Sequence, residues 1–196
     1  MKYLISIAMI MTLYNCATYE KKMIKDNVLI LNEKSLTNLN GYYEVKPQNK
    51  YDYQGELVNN TIPDYSILPE YLRLMSIRED TLSTDYYVKV EVVDATTIHC
   101  ELKRQDLIID KMIISGKLKK NGMFHFKDNP VDCKGIPYLI GGCSDSKTRM
   151  GLNKDGNLFI EYAYFNGGAF LLIFGDARGY NNAYTFDRTT HAFQND

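Results

Sequence analysis

No basic excess is present: 23 Lys and Arg stand against 24 Asp and Glu, a formal net charge of -1. Nothing therefore holds a nucleic acid or an anionic membrane surface by charge alone, and nucleic-acid binding is excluded as an expectation. Trp is absent. No C-x-x-C pair occurs, and the three histidines, His99, His125 and His191, are scattered, so no metal site and no cofactor is expected. No Ser-His-Asp arrangement or phosphate-binding glycine motif can be assembled, and no enzyme is expected. No apolar run reaches the roughly 20 residues that a membrane-spanning helix needs. Long amphipathic helices are missing between the strand-like segments, which argues against an α/β layout.

What is present is apolar and aromatic. Hydrophobic residues make up 45% of the 196, enough for a substantial core, and 16 of the aromatics are Tyr. Tyr suits half-buried strands, because its ring packs while its hydroxyl stays wet. The length fits one domain with a tail.

A long stretch rich in apolar and aromatic residues runs from Asn157 to Gly175. Leu158 to Phe165 and Ala169 to Phe174 form two arms around Asn166-Gly167-Gly168, which predicts a β-hairpin with its reversal at the glycines. Ala169 to Phe174 carries no polar side chain, so both of its faces should be covered. Upstream, Tyr86–Asp94 alternates, with Tyr86, Val88, Val90 and Val92 on one face. Ile98 to Leu102 alternates too, and the two predict a second hairpin. Leu107 to Leu118 follows, with Gly116 as a bulge or close-packing point, and Asn121-Gly122 predicts a tight turn into Met123 to Phe126. Gly41 to Val45 opens the strands. Tyr51 to Val58, Tyr71 to Ile77, Thr148 to Leu152 and Ala183 to Arg188 are further candidates, and Lys34 to Asn40 offers one helical turn. Short strands joined by tight turns predict an all-β fold, an antiparallel β-barrel of roughly ten strands or a sandwich.

Four cysteines carry separate readings. Cys133 and Cys143 flank a Gly- and Pro-containing segment, where a disulfide would close a short loop and two unpaired thiols are the alternative. Cys100 alternates with Ile98 and Leu102 and reads as a small buried apolar residue. Cys16 ends a run in which Lys2 precedes an apolar stretch from Leu4 to Leu13, followed by Tyr14 and Asn15. That stretch resembles a bacterial lipoprotein signal, in which a Leu three residues before Cys marks cleavage and lipidation. The resemblance implies a signal over 1–15, an acylated Cys16, and a cell-envelope protein held at a membrane, the outer membrane in particular. A plain secretory signal is the alternative. Residues 16–40 then read as lipidated Cys and tether, 41–190 as the barrel and 191–196 as a tail.

Gly41-Tyr42-Tyr43 near the start of the first strand, together with Arg188 near the end of the last, resembles the lipocalin pattern. There an aromatic ring on the first strand is covered by a basic side chain at the barrel base. Arg188 over Tyr43 would close the base by cation–π contact. The resemblance implies a lipocalin-like barrel with a cavity for a small apolar ligand, or a scaffold that binds an envelope protein. Ligand-lining candidates are Phe159, Glu161, Phe170 and Leu172. Glu161 shares a face with Phe159, Ala163 and Phe165. An inward carboxylate there would have a raised pKa, whereas an outward one would meet solvent.

Overall fold

A computed structural model of the chain describes residues 17–58, 62–63, 67–75, 86–127, 130–136, 140–170 and 174–189. Its strands are β1 (Gly41–Glu44), β2 (Asn49–Tyr51), β3 (Tyr86–Asp94), β4 (Thr97–Arg104), β5 (Leu107–Leu118), β6 (Phe124–Phe126), β7 (Val131–Ile136), β8 (Ile140–Leu152), β9 (Leu158–Phe170), β10 (Phe174–Phe186) and β11 (Arg188–Thr189). Every pairing among them is antiparallel. Two short helices, α1 (Lys21–Lys25) and α2 (Leu68–Tyr71), and a 3-10 turn (Leu36–Leu39) accompany them.

The eleven strands make eight staves. β6 and β7 both pair with β8 and form one broken stave. β10 continues through Asp187 into β11, and β1 continues through Val45 to Gln48 into β2. These two chains pair along both halves, with Tyr43 opposite Arg188 and Tyr51 opposite Ala183. Between the halves, Glu44 N–H donates to Asp187 O at 3.0 Å and Gln48 N–H to Thr185 O at 2.8 Å. First and last staves thus meet, and the up-and-down sheet closes into an antiparallel barrel without a bare edge in its lower half.

Alternation fills the interior. Val88 and Val90, Ile98, Cys100 and Leu102, Phe124 and Phe126, Met150 and Leu152, Leu158 and Ile160, and Tyr184 and Phe186 belong to one buried cluster. Cys100 is fully buried with a free thiol, as its alternation predicts. Leu36 and Leu39 join the cluster from below, and Leu68, Leu72 and Leu74 join it from the α2 segment. Ile67 and Leu68 N–H groups both donate to Val45 O at 3.2 Å, which holds α2 against the first stave.

Several turns fall where expected. Gly122 takes φ 79°, and its N–H donates to Lys119 O at 3.0 Å. Gly116 is a close-packing point: a Cβ there would stand 2.2 Å from the Phe124 ring.

Other expectations need correction. Asn166-Gly167-Gly168 is no reversal. It lies inside β9, paired with Ser144, Cys143 and Gly142 on one side and with Arg178, Ala177 and Asp176 on the other. Neither glycine takes a positive φ. Their bareness serves strand packing instead, since a Cβ on Gly168 would stand 3.1 Å from Gly141 O. The chain reverses between Phe170 and Phe174, which pair. The strand expected from Tyr51 ends there: the Asp52 carboxylate accepts from Gln54 N–H at 2.8 Å and Glu56 N–H at 3.0 Å, an Asp-centred turn. Tyr71 closes a helix rather than opening a strand, because Pro69 pre-sets the first helical turn. The strand expected at Thr148 begins earlier, at Ile140.

The segment expected to be a tether is packed. Residues 17–32 run down the outer wall of the barrel as a strap. Met23 and Val28 form a second buried cluster with Tyr51, Met123, Phe159 and Ala183. Leu29 N–H donates to Leu152 O at 2.8 Å. The reason is composition: Met23 and Val28, with Ile24 packed beside them, supply an apolar stripe that charged neighbours conceal in the sequence, and Leu31 joins the interior cluster. The proposed signal and Cys16 lie outside the described residues, as does the tail from 190 onward.

Candidate functional site

At the barrel base, Arg188 is set opposite Tyr43 by strand register. Its guanidinium sits 5.2 Å from the Tyr43 ring centroid and donates to the Tyr43 hydroxyl at 2.8 Å. It also donates to Asn40 O at 2.9 Å, Gly156 O at 3.3 Å and Asn38 O. Tyr43 is fully buried and donates in turn to Leu39 O at 2.9 Å. Burial pushes its pKa up to about 12, so it stays a donor. Gly41 is the third member: a Cβ there would stand 3.2 Å from the Arg188 guanidinium. The structure therefore brings Gly41, Tyr43 and Arg188 together.

The ligand-lining candidates are not brought together. On β8, β9 and β10 the even positions face the core and the odd ones face outward. Phe159 belongs to the outer cluster under the strap, and Glu161 is fully buried on the same outer face. The interior is lined by their neighbours Leu158 and Ile160. Phe170 ends β9, and its side chain lies outside the described residues, as does Leu172 altogether.

Glu161 is not a solvated carboxylate. Arg149, one stave away on β8, donates to its Oε2 through Nε at 2.8 Å and through a terminal guanidinium nitrogen. The strap caps this pair. The Tyr19 ring lies 4.2 Å from the Arg149 guanidinium, which also donates to Glu20 O at 3.2 Å. His125 meets Tyr19 edge-to-face at 5.0 Å. Desolvation drives the perturbations. It raises Glu161 to about 7 against the opposing pull of Arg149, and it lowers His125 to about 4, helped by the Arg149 charge. Such shifts mark functional sites as well as structural pairs. Here Arg149 and Glu161 are 3% and 0% exposed, shielded from solvent beneath the strap. Beside them, Asp145 accepts from Ala17 N–H at 3.1 Å and Lys147 donates to Ala17 O at 2.8 Å, clipping the top of the strap.

The accessible chemistry lies elsewhere. A groove of about 560 Å³ opens between the top of the strap, the β2 turn and the flank of β10, lined by Tyr51, Asp52, Tyr53, Phe165, Tyr180 and Asn182. Tyr180 begins a run of rings on the concave side. It lies 5.1 Å from Tyr164 and 6.2 Å from Tyr162, and Tyr71 of α2 lies 5.3 Å from Tyr162 and 5.7 Å from Tyr184. The run leads from half-exposed Tyr180 to buried Tyr184. The alternation of Tyr162, Tyr164, Tyr180 and Tyr184 is visible in the sequence, but their convergence needs the β9 and β10 register. Among the described residues no cluster of three His, Cys, Asp or Glu could hold a metal ion.

Cys133 and Cys143 are register partners across β7 and β8 and form a disulfide. The bridge braces an arm in which β7 to β10 continue beyond the barrel.

Comparison with known proteins found no matching family model, no matching curated protein and no matching solved structure.

Proposed function

We propose that this chain is a lipid-anchored cell-envelope protein with a lipocalin-like barrel that binds a protein partner on its outer surface, as a structural or assembly factor. One observation carries the reading. The barrel is occupied by its own side chains from the Leu36 and Leu39 floor to the Leu68, Leu72 and Leu74 plug, in one buried cluster. A lipid or cofactor carrier keeps an apolar volume of roughly 300 Å³ or more for its cargo. The accessible groove is instead rich in Tyr and Asn, with Tyr51, Tyr53, Tyr164, Tyr180, Asn181 and Asn182 in its lining, residue types that adaptable protein-binding surfaces favour. The lipocalin-like assignment is supported by the base triad of Gly41, Tyr43 and Arg188 and by pairing of first and last staves. The anchor is supported by the run ending at Cys16.

A second reading, a small apolar ligand with an anionic head, is favoured by Arg73. Its guanidinium lies 5.9 Å from the Phe126 ring, and one terminal nitrogen is buried without a hydrogen-bond partner among the described residues.

Native mass spectrometry of protein gently purified from its own host separates the two. The bare chain mass, with or without a bound protein, is the expected result. A stoichiometric small molecule would replace this reading with the second. The anchor is tested by labelling cells with radioactive fatty acid: label should enter the wild type and vanish in Cys16→Ala.

A further inference from the structure

Among the described residues, β10 pairs with β9 over its whole length but with β2 only at Ala183, Tyr184 and Thr185. Above that point no strand among the described residues pairs with the outer edge of β10. Asp176 to Tyr180 are all exposed. Such an edge is a template for another strand; it has no Pro and no Lys, and its two charges, Asp176 and Arg178, are of opposite sign.

The edge reads Phe174-Gly175-Asp176-Ala177-Arg178-Gly179-Tyr180. Turned end for end about Ala177 and laid against itself, it pairs Asp176 with Arg178, Gly175 with Gly179, and Phe174 with Tyr180. In an antiparallel ladder opposite residues project from the same face, so Asp176 of one chain would meet Arg178 of the other, twice by symmetry. Asp176 and Arg178 already lie 3.4 Å apart within the strand, with side chains 77% and 86% exposed. The two intrastrand pairs would merge into a ring of alternating charge. We propose that a second copy of this chain docks on the β10 edge about a two-fold axis at Ala177, joining two arms into one continuous sheet.

An isologous contact needs a self-complementary surface, and this edge has one in charge and in size. A two-residue register slip, which moves the axis to Arg178, would set two arginines opposite each other, and a one-residue slip would leave Asp176 opposite Gly179 and Arg178 opposite Ala177, so only the axis at Ala177 pairs every charge with its opposite. A foreign peptide would satisfy the same backbone groups, but it has no reason to match this charge order. The inference rests neither on the lipid anchor nor on the outer-surface binding proposed above.

The test uses the mature chain carrying Cys16→Ala. The unmutated edge should give a dimer by light scattering. Ala177→Cys, on the axis, should cross-link to itself under mild oxidation, while Glu33→Cys, exposed on the opposite end of the barrel, should not. Arg178→Asp and Asp176→Arg should each weaken dimerisation about tenfold or more, because each places like charges opposite twice. The double variant D176R/R178D should restore it, since the swap preserves complementarity. Both side chains are exposed, so an unchanged circular dichroism spectrum is expected throughout. A monomer at every concentration, a dimer indifferent to both reversals, or failure of the double swap to rescue would each overturn the proposal.

Discussion

Glu161 and His125 are pushed in opposite directions by the same burial, and their titrations oppose each other. Glu161 has a folded pKa of about 7 against an ordinary 4.5, so the folded state holds its proton more tightly than the unfolded chain. Its contribution to stability is full below about 4.5 and is lost as pH rises through 7. His125 falls to about 4 from 6.5. Its contribution is full above 6.5 and is lost as pH falls through 4. Between 4.5 and 6.5 the two slopes cancel in sign. Glu161→Gln should remove the first and leave stability rising from pH 4 to 6.5, read by urea denaturation across pH. A profile unchanged from wild type would show that Glu161 does not titrate in that window. The face of Glu161 is legible in the sequence, because alternation groups it with Phe159 and Ala163. Which way that face points is not legible, since Leu158, Phe159 and Ile160 are all apolar and both sides of β9 are covered.

At the scale of elements, the strap and the arm show how packing overrides local pattern. α1 has five residues and no side-chain cap, so it cannot be stable by itself. Met23 holds it by burial against Phe159 and Met123. Met23→Ala should therefore cost about 2–4 kcal/mol in chemical denaturation, as a core truncation does, although the residue lies outside the barrel. In the arm, the disulfide braces strands that expose both faces: Val131, Asp132, Cys133 and Lys134 are all exposed. Replacing Cys133 and Cys143 by Ser should relax that element locally, lowering its opening free energy by up to about 3 kcal/mol. Amides of 131–136 and 140–145 should exchange faster while those of β3 and β4 stay unchanged. Equal acceleration in β3 and β4 would mean that the bridge supports the whole barrel. The tight turns were readable, as at Asn121-Gly122, because positive φ is a local demand. The long β8, β9 and β10 were not, because glycines that read as punctuation act as thin places in a sheet.

For the whole molecule, barrel closure couples segments far apart in sequence. Arg188 ties together Asn38, Asn40, Tyr43 and Gly156, and the strap ties Ala17 to β8 and Asn27 to the β2 turn, where its side chain donates to Gly55 O at 2.9 Å. Deleting residues 17–27 would expose Phe159 and Tyr51 and leave the Arg149–Glu161 pair open to water. The expected outcome is one cooperative unfolding transition at clearly lower urea than the full chain. Two transitions, or an unchanged midpoint, would show that the strap is an appendage and not part of the fold.

Alternation and turn chemistry determined by themselves that this chain is all-β with antiparallel strands, because each depends on a residue and its near neighbours, while the choice of a closed barrel over a sandwich, with Arg188 over Tyr43, came only with the pairing of first and last staves. Tertiary structure alone decided that Glu161 faces outward, that Arg149 neutralises it, and that residues 17–32 cover the pair. Those outcomes depend on which surplus apolar face finds a cover, and a strap more than a hundred residues away in sequence leaves no periodic mark on the strand it hides.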